Sequence, residues 1–395
     1  MKLTGWEFGV RMSKLRICSL FSGIGGFEVG LGNSLFEPIM FCENDPAAQA
    51  VLRCKFPDID LCEDIKTLRS LPKCEVVTAG WPCQDLSQAG RTLGITGTRS
   101  GLVGEVFRLL DASVVKPKII ILENVAFSLY LQGGKAIHQV VEELEARGYR
   151  WAYRILDTRE FGLPHRRRRI FIVASREVDP MSILFDEPDD IVTDVEAEPA
   201  RIGFYWTEGN RGLGWTPEAV PPLKGGSGLS IPSPPAIWER HTGQFFLPGI
   251  SDAERLQGFS SGWTEAATHV KPGNRGRWRL VGNAVSVPVA RWIAERLMRT
   301  GPSATWALGI PFPQSTTRRP NAAWGGPRMQ RGTAAFSSEG PIHPRRMAIS
   351  QFAFHDAKPL SLRAASGFLS RLIDSTLAKD KNFVSQLIQY CENSM

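Results

Sequence analysis

Leu15-Arg16-Ile17-Cys18-Ser19-Leu20-Phe21-Ser22-Gly23-Ile24-Gly25-Gly26 is the stretch on which the fold class turns. Leu15 to Phe21 reads as a buried-type strand, and Ser22 to Gly26 as a tight turn opening a helix. Glycines at such a turn let the backbone approach a ligand, and a helix start favours negative charge. Glu43 follows at the end of a second expected strand, Pro38 to Cys42, where a carboxylate can bind ribose hydroxyls. The spacing is not G-x-G-x-x-G, so a nucleoside-type cofactor is favoured over a nicotinamide dinucleotide. A plain strand-to-helix turn without a ligand is the alternative.

Outward from this turn, short apolar runs alternate with helical periods as far as about Ala174, which predicts an α/β domain. Strands are expected at Glu75 to Ala79, Lys118 to Leu122 and Arg169 to Ala174. Val103, Phe107, Leu110 and Val114 are spaced as one helix face, and so are Ile137, Val140, Val141 and Leu144. After Arg176 the pattern breaks into an acidic stretch and then a Gly/Pro/Ser-rich region, expected to be irregular. Ser251-Asp252-Ala253-Glu254 reads as a capping box opening a short helix, and Val289, Ile293 and Leu297 mark another. Residues near Leu360 to Ile388 look helical. The expected division is 1–175, 176–247, 248–300 and a basic extension at 301–395.

Composition narrows the class. The chain has 395 residues, 43% apolar and 22% charged, enough for two or three cores. Its apolar runs, Ile119 to Leu122 among them, are far too short for a bilayer, and the first residues mix charges with apolar side chains unlike a secretory signal. Of the net charge of +7, six units fall from Gly301 onward, where eleven basic residues face five acidic ones. That extension is expected either to add sequence-independent attraction for a polyanion or, given its apolar helical stripe, to be structural. Seven cysteines without a C-x-x-C pair fit reduced thiols in a cytoplasmic protein and no metal.

Three further constellations carry chemistry. In Gly80-Trp81-Pro82-Cys83-Gln84, Pro82 stiffens the turn that presents the Cys83 thiol, and a glycine-dotted loop from Asp85 to Leu102 follows as a candidate lid. A buried structural cysteine is the alternative there. Glu123-Asn124-Val125 ends the strand Lys118 to Leu122, and strand carboxyl ends are where ligands sit in open α/β sheets. A carboxyl group set there among apolar neighbours can hold a proton and donate it, although a capping or salt-bridged Glu would look the same. In His165-Arg166-Arg167-Arg168-Arg169, the arginines run into a strand, so Arg167 and Arg169 share one side, which can face the cleft.

Taken together, residues from about Arg16 to Leu297 closely resemble the DNA (cytosine-5) methyltransferases, through a series of ordered motifs. Phe21-Ser22-Gly23-x-Gly25-Gly26 is similar to the family's S-adenosylmethionine loop, with Glu43 as its ribose carboxylate. Asp64-Ile65 stands where the family reads the cofactor's adenine. Pro82-Cys83-Gln84 resembles the catalytic Pro-Cys motif, Glu123-Asn124-Val125 the Glu-Asn-Val motif, and Arg167-x-Arg169 the Arg-x-Arg pair. Arg255-Leu256-Gln257-Gly258-Phe259 and Gly282-Asn283-Ala284-Val285 resemble the two late motifs, the second returning to the cofactor pocket. Two departures stand out. His165 replaces the usual Gln before the Arg pair, and 301–395 lie outside the resemblance.

The resemblance implies a Rossmann-like S-adenosylmethionine-dependent methyltransferase core (1–175) and a smaller, irregular target-recognition region (176–247). The late motifs (248–300) return to the core. It also implies a reaction on double-stranded DNA. Cys83 would add to C6 of a flipped-out cytosine, Glu123 would hydrogen-bond or protonate N3, and Arg169 with Arg167 would hold the O2 edge. The cofactor residues implied are Phe21, Ser22, Gly23, Gly25, Gly26, Glu43, Asp64, Ile65, Pro82 and Asn283. With no long N-terminal region before the motifs, the expected type is a bacterial restriction-modification or solitary enzyme. It would be monomeric, cytoplasmic, associated with the nucleoid through DNA, and paired in the first case with an endonuclease of the same site. A tRNA cytosine methyltransferase on the same core and an inactive nucleic-acid binder are the alternatives.

Overall fold

The computed structural model describes residues 14–32, 35–81, 101–185, 198–208, 212–224, 233–299, 310–311, 320–334, 336, 339–341, 345–377 and 380–392. The chain opens as β1 (Leu15–Leu20), α1 (Gly26–Leu31), β2 (Phe36–Cys42), α2 (Pro46–Lys55), β3 (Asp60–Cys62), β4 (Val76–Gly80) and α3 (Leu102–Ala112). It continues as β5 (Ile119–Val125), α4 (Lys135–Ala146), β6 (Arg150–Asp157), β7 (Arg168–Ser175) and the short α5 (Pro180–Leu184). A second group follows: β8 (Arg201–Phe204), β9 (Thr216–Pro217), β10 (Ala236–Glu239) and β11 (Gln244–Leu247). Three helices come next: α6 (Ile250–Leu256), α7 (Asn274–Asn283) and α8 (Val287–Leu297). The last elements are β12 (Ile310–Pro311), β13 (Ala322–Gly325), β14 (Gly332–Ala334), β15 (Lys358–Pro359), α9 (Leu362–Ile373) and α10 (Lys381–Glu392).

The large sheet runs β12-β14-β13-β6-β7-β5-β4-β1-β2-β3. Strands β5, β4, β1, β2 and β3 are parallel, whereas β7, β6 and the strands beyond pair antiparallel. Side chains alternate across it as a pleat requires. Ile17, Val76, Ile119 and Ile121 meet α1, α5 and α8 on one face, where Phe27, Ile183 and Ile293 are buried. Cys18, Val77, Ile120 and Leu122 meet α3 and α4 on the other, with Phe107, Leu110, Val140 and Leu144. Both faces are covered, which is why these strands read as continuous apolar runs. Gly30 lets α1 and α8 touch, since a Cβ there would lie 2.4 Å from that of Ala290. The order reverses between β1 and β4, and a crevice opens at the carboxyl ends of the strands there.

The region expected to be irregular supplies four of the five strands of a second sheet, β15-β11-β10-β8-β9, antiparallel throughout. Its strands are two to four residues long, too short to show a period of two in the sequence. The acidic stretch lies partly outside the described residues, at 186–197.

The segment from 301 onward joins both sheets. β13 pairs with β6, extending the large sheet. Arg331 and Arg346 form ion pairs with Glu145 and Glu160 of the core. β15 pairs with β11, and α9 and α10 bury Phe368, Leu372, Phe383 and Leu387 against Phe204, Trp238 and Phe245 of the small sheet. The start of α6 also differs from the expected Ser/Glu box. The helix begins one residue after Gly249, and the side chain of Asp252 takes the N–H of Gly249 at 3.3 Å. Asp356 of the C-terminal segment accepts from the N–H groups of Ser251 and Asp252, both at 3.1 Å. Glu254 turns inward instead, to Gly262, Thr264 and Arg277. No helix among the described residues is long and apolar enough to cross a membrane.

Candidate active site

The crevice at the carboxyl ends of β1, β2, β4 and β5 holds a cavity of about 550 Å³. Phe21, Gly23, Glu43, Gly80, Trp81, Glu123, Asn124, Arg167, Arg169, Arg279 and Asn283 are among its walls.

One end of the cavity is set by the glycine turn. Phe21 adopts φ 52°, a strained conformation for a bulky side chain of the kind that clusters at functional sites. The Ser22 hydroxyl lies 3.0 Å from Ser19 O and accepts the Cys42 N–H at 3.1 Å, pinning the turn to β2. Gly25 sits at φ 82°, and a Cβ on Gly26 would come 2.6 Å from Val285 O, so the late motif can pack against the turn only at a glycine. Glu43 receives the N–H groups of Gly23 and Asp45, each at 2.8 Å. A turn amide is thus already spent on a carboxylate rather than left open for phosphate. Burial pushes Glu43 above the ordinary carboxyl range, and those backbone donors pull against it. The donor set suits a ligand that offers hydroxyl and amine hydrogens and carries no phosphate, which describes S-adenosylmethionine.

The other end of the cavity is set by β5 and β7. In their antiparallel register Val125 faces Arg169, which brings the start of β7 to the end of β5. Glu123 is buried, and burial raises its pKa against the opposing pull of Arg169 and Arg167. Its Oε1 lies 3.2 Å from Arg169 Nε as an ion pair but takes no hydrogen bond from any described residue. A buried carboxyl oxygen left in that state at a cavity wall is suited to an incoming hydrogen-bonding partner. Asn124 donates to Trp81 O at 3.2 Å and so fixes the exit of β4, just before Pro82 and Cys83. Pro82, Cys83 and the loop as far as residue 100 lie outside the described residues.

The structure separates the two arginines expected to act together. Both line the cavity, but the Arg167 guanidinium is fully buried and donates to Gly282 O at 2.9 Å and Ala284 O at 2.8 Å. Its work is to hold the turn after α7, and with it Asn283, against the core. Only Arg169 reaches Glu123. Asp64 and Ile65 are not among the cavity walls. Asp64 lies at the strand end beside Glu43, where its side chain caps Lys66 N–H at 2.9 Å, and Ile65 is buried in the core. Sequence reasoning missed Asp45 and Arg279. Asp45 caps α2 and forms an ion pair with Arg279 of α7 across the cavity. Gln257, quoted above only as part of a late motif, donates through its amide to Val281 O at 2.8 Å. Among the described residues no group of three or more His, Cys, Asp or Glu is placed to hold a metal ion.

A family model described as C-5 cytosine-specific DNA methylase matches residues 15–201. Over 370 residues the chain is 45% identical to the Type II methyltransferase M2.BsuMI of Bacillus subtilis (strain 168), covering 90% of this chain and 93% of that one. The chain belongs to the C-5 cytosine-specific DNA methylases. As a member of that family it transfers a methyl group from S-adenosylmethionine to C5 of cytosine in DNA. The match is longer than residues 1–300 could supply, so the C-terminal segment is shared with that relative at least in part. The Type II methyltransferase M.Bsp6I of Bacillus sp. (strain RFL6) is 27% identical over 323 residues, covering 72% of this methylase and 99% of that chain. The fold is similar to that of the S. pombe Dnmt2 methyltransferase crystal structure, with a TM-score of 0.53 at 19% identity, over 72% of this chain and 98% of that one.

Proposed function

We propose that this methylase acts on a flipped-out cytosine through Cys83, Glu123 and Arg169, with Arg167 and Asn124 holding those groups in place. The observation that carries the reading is the buried Glu123 carboxyl, with one oxygen lacking a hydrogen bond at the cavity wall and Arg169 beside it. Cytosine C5 is a poor nucleophile toward a methyl sulfonium. Addition of the Cys83 thiolate to C6 forms an S–C6 bond and makes C5 electron-rich. A proton held by Glu123, favoured by its burial, goes to N3 as the ring charge develops. Arg169 donates to the O2 edge. S-adenosylmethionine, when bound, supplies the electrophilic methyl group. Water takes the C5 proton, the thiolate departs and the N3 proton returns to the Glu123 carboxylate, which restores the neutral aromatic ring. The target must leave the base stack first, at a cost of a few kcal/mol.

Glu43 takes the ribose hydroxyls. The adenine is directed from Glu43 toward the next strand end, where Asp64 and the buried Ile65 lie behind the cavity walls, and Asn283 with Arg279 lines the cavity as well. Glu43→Ala is expected to weaken S-adenosylmethionine binding by about 1–3 kcal/mol, read by calorimetry. Glu123→Gln tests the catalytic reading. It should lower methyl transfer by about 10²–10⁴-fold while cofactor affinity changes little, because the amide cannot supply the proton. A Gln variant of near-normal rate would end the assignment.

The small sheet, tied to the turn that carries the arginines through the backbone of Val220, is the natural reader of the DNA sequence, through its loops in the major groove. Two of the relatives are Type II methyltransferases by name, and the motifs needed for one active site lie in one chain. These points support a monomeric cytoplasmic modification enzyme, bound to the nucleoid through DNA and paired with an endonuclease of the same specificity.

A further inference from the structure

His165 stands next to the Arg pair yet takes no part in the reaction as proposed. Its side chain is fully buried. Nε2 accepts the Leu223 N–H at 3.2 Å, and Nδ1 lies 3.1 Å from Leu256 O at the end of α6. An amide N–H can only donate and a carbonyl can only accept, so the proton belongs on Nδ1 and the ring is neutral. The backbone follows the same seam, with Arg166 N–H on Val220 O at 2.9 Å and Val220 N–H on Pro164 O at 2.8 Å. One ring therefore joins three parts: the turn that carries both arginines, the segment 220–223 beside the small sheet, and α6.

We propose that His165 is a positioning residue, and that its neutral Nδ1–H form sets the Arg167/Arg169 turn in register with the small sheet and α6. Protonation would point a second N–H at Leu223 and place a buried charge beside two arginines. Burial first, and then Arg167, holds the imidazole well below its usual range. The charged side chains on the elements packed against the ring are spent elsewhere. Lys224 pairs with Glu208, Glu254 with Arg277 and Arg255 with Asp252. In the unfolded chain the ring takes up a proton as pH falls through about 6.5, whereas in the folded chain it does not, so its contribution to stability falls below that pH.

A glutamine amide offers one donor and one acceptor at a spacing close to that of the ring nitrogens, and it does not titrate. His165→Gln should therefore keep methyl transfer within about threefold, while proton uptake on unfolding near pH 5.5 drops by about one. That uptake is read by calorimetry in buffers of different ionisation enthalpy. His165→Leu fills similar space but leaves the Leu223 N–H and Leu256 C=O unpaired. It should lower kcat about tenfold or more, with S-adenosylmethionine Kd moving less than about threefold. Unchanged proton uptake in the Gln variant, a Gln variant as impaired as the Leu variant, or a Leu variant with normal kcat would each overturn the proposal. Should the Leu variant fail to fold, Gln rescue and the proton count still decide. The kcat arm rests on Arg169 acting at the base, whereas the proton count rests only on the two hydrogen bonds, so the two readings can fail separately.

Discussion

Duplex DNA carrying 5-fluorocytosine at the target position, incubated with the methylase and S-adenosylmethionine, is expected to give a complex that survives denaturation. Cys83→Ser is expected to abolish both that complex and methyl transfer. Fluorine cannot leave C5 as a proton, so after the methyl group has moved the S–C6 bond has no route to break. A serine hydroxyl is almost wholly protonated at neutral pH and is a far weaker nucleophile, so the loss in rate should be at least about a thousandfold. The other thiols make good controls. Cys18 and Cys42 are buried in the sheet, and their thiols are pushed above the ordinary range, Cys18 by its contact with Cys74 and Cys42 by burial. Such thiols do not react readily. Serine at Cys18, Cys42 or Cys391 should leave trapping intact apart from any loss of stability. A trap that persists in the Cys83 variant, or that maps by peptide mass spectrometry to another cysteine, would refute the covalent step.

The parts of this site that were legible in the sequence are those that one short segment encodes by itself. The glycine turn, Glu43 one residue past β2 and Glu123 near the end of β5 each follow from a strand and the residues that terminate it. The alternation that puts Arg167 and Arg169 on one side also holds. It could not show that Arg167 is spent on the carbonyls of Gly282 and Ala284, because those partners lie more than a hundred residues away. Asp45 and Arg279, and Asp252 and Asp356, meet across similar gaps and leave no periodic trace. The capping box was misread for the same reason, since the α6 amides find their acceptor in the C-terminal segment. Charge counting left two readings open for the segment after Gly301, attraction for a polyanion or a structural role, and could not choose between them. In the structure Arg331 and Arg346 are paired with core acids, and Arg371 donates to Trp206 O and Glu208 O. Net charge does not say which charges are already neutralised.

A chain ending at residue 300 is accordingly expected to lose methyl transfer entirely, through loss of the fold rather than loss of charge. Such a truncation removes β13 from the edge of the catalytic sheet and strips Gly340 from the buried Arg154 guanidinium, which donates to its carbonyl at 2.6 Å. It unpairs Glu160 and uncaps α6. It also takes away one wall of the small-sheet core, where Leu360, Phe368, Leu372, Phe383 and Leu387 are buried. Each such side chain stabilises by about 1.5–3 kcal/mol when fully buried, so together they rival the roughly 5–15 kcal/mol by which a typical domain stays folded. Phe204, Trp238 and Phe245 would be left facing water, and aggregation would follow. A milder variant keeps the test readable. Phe383→Ala opens a cavity among Phe204, Trp215, Trp238 and Phe245 and should cost about 3–5 kcal/mol in denaturant unfolding. Because no charge is removed, the salt dependence of DNA binding by the remaining folded protein should keep its slope. A truncated chain that folds and methylates, with only a shallower salt slope, would restore the reading of the segment as an electrostatic tail.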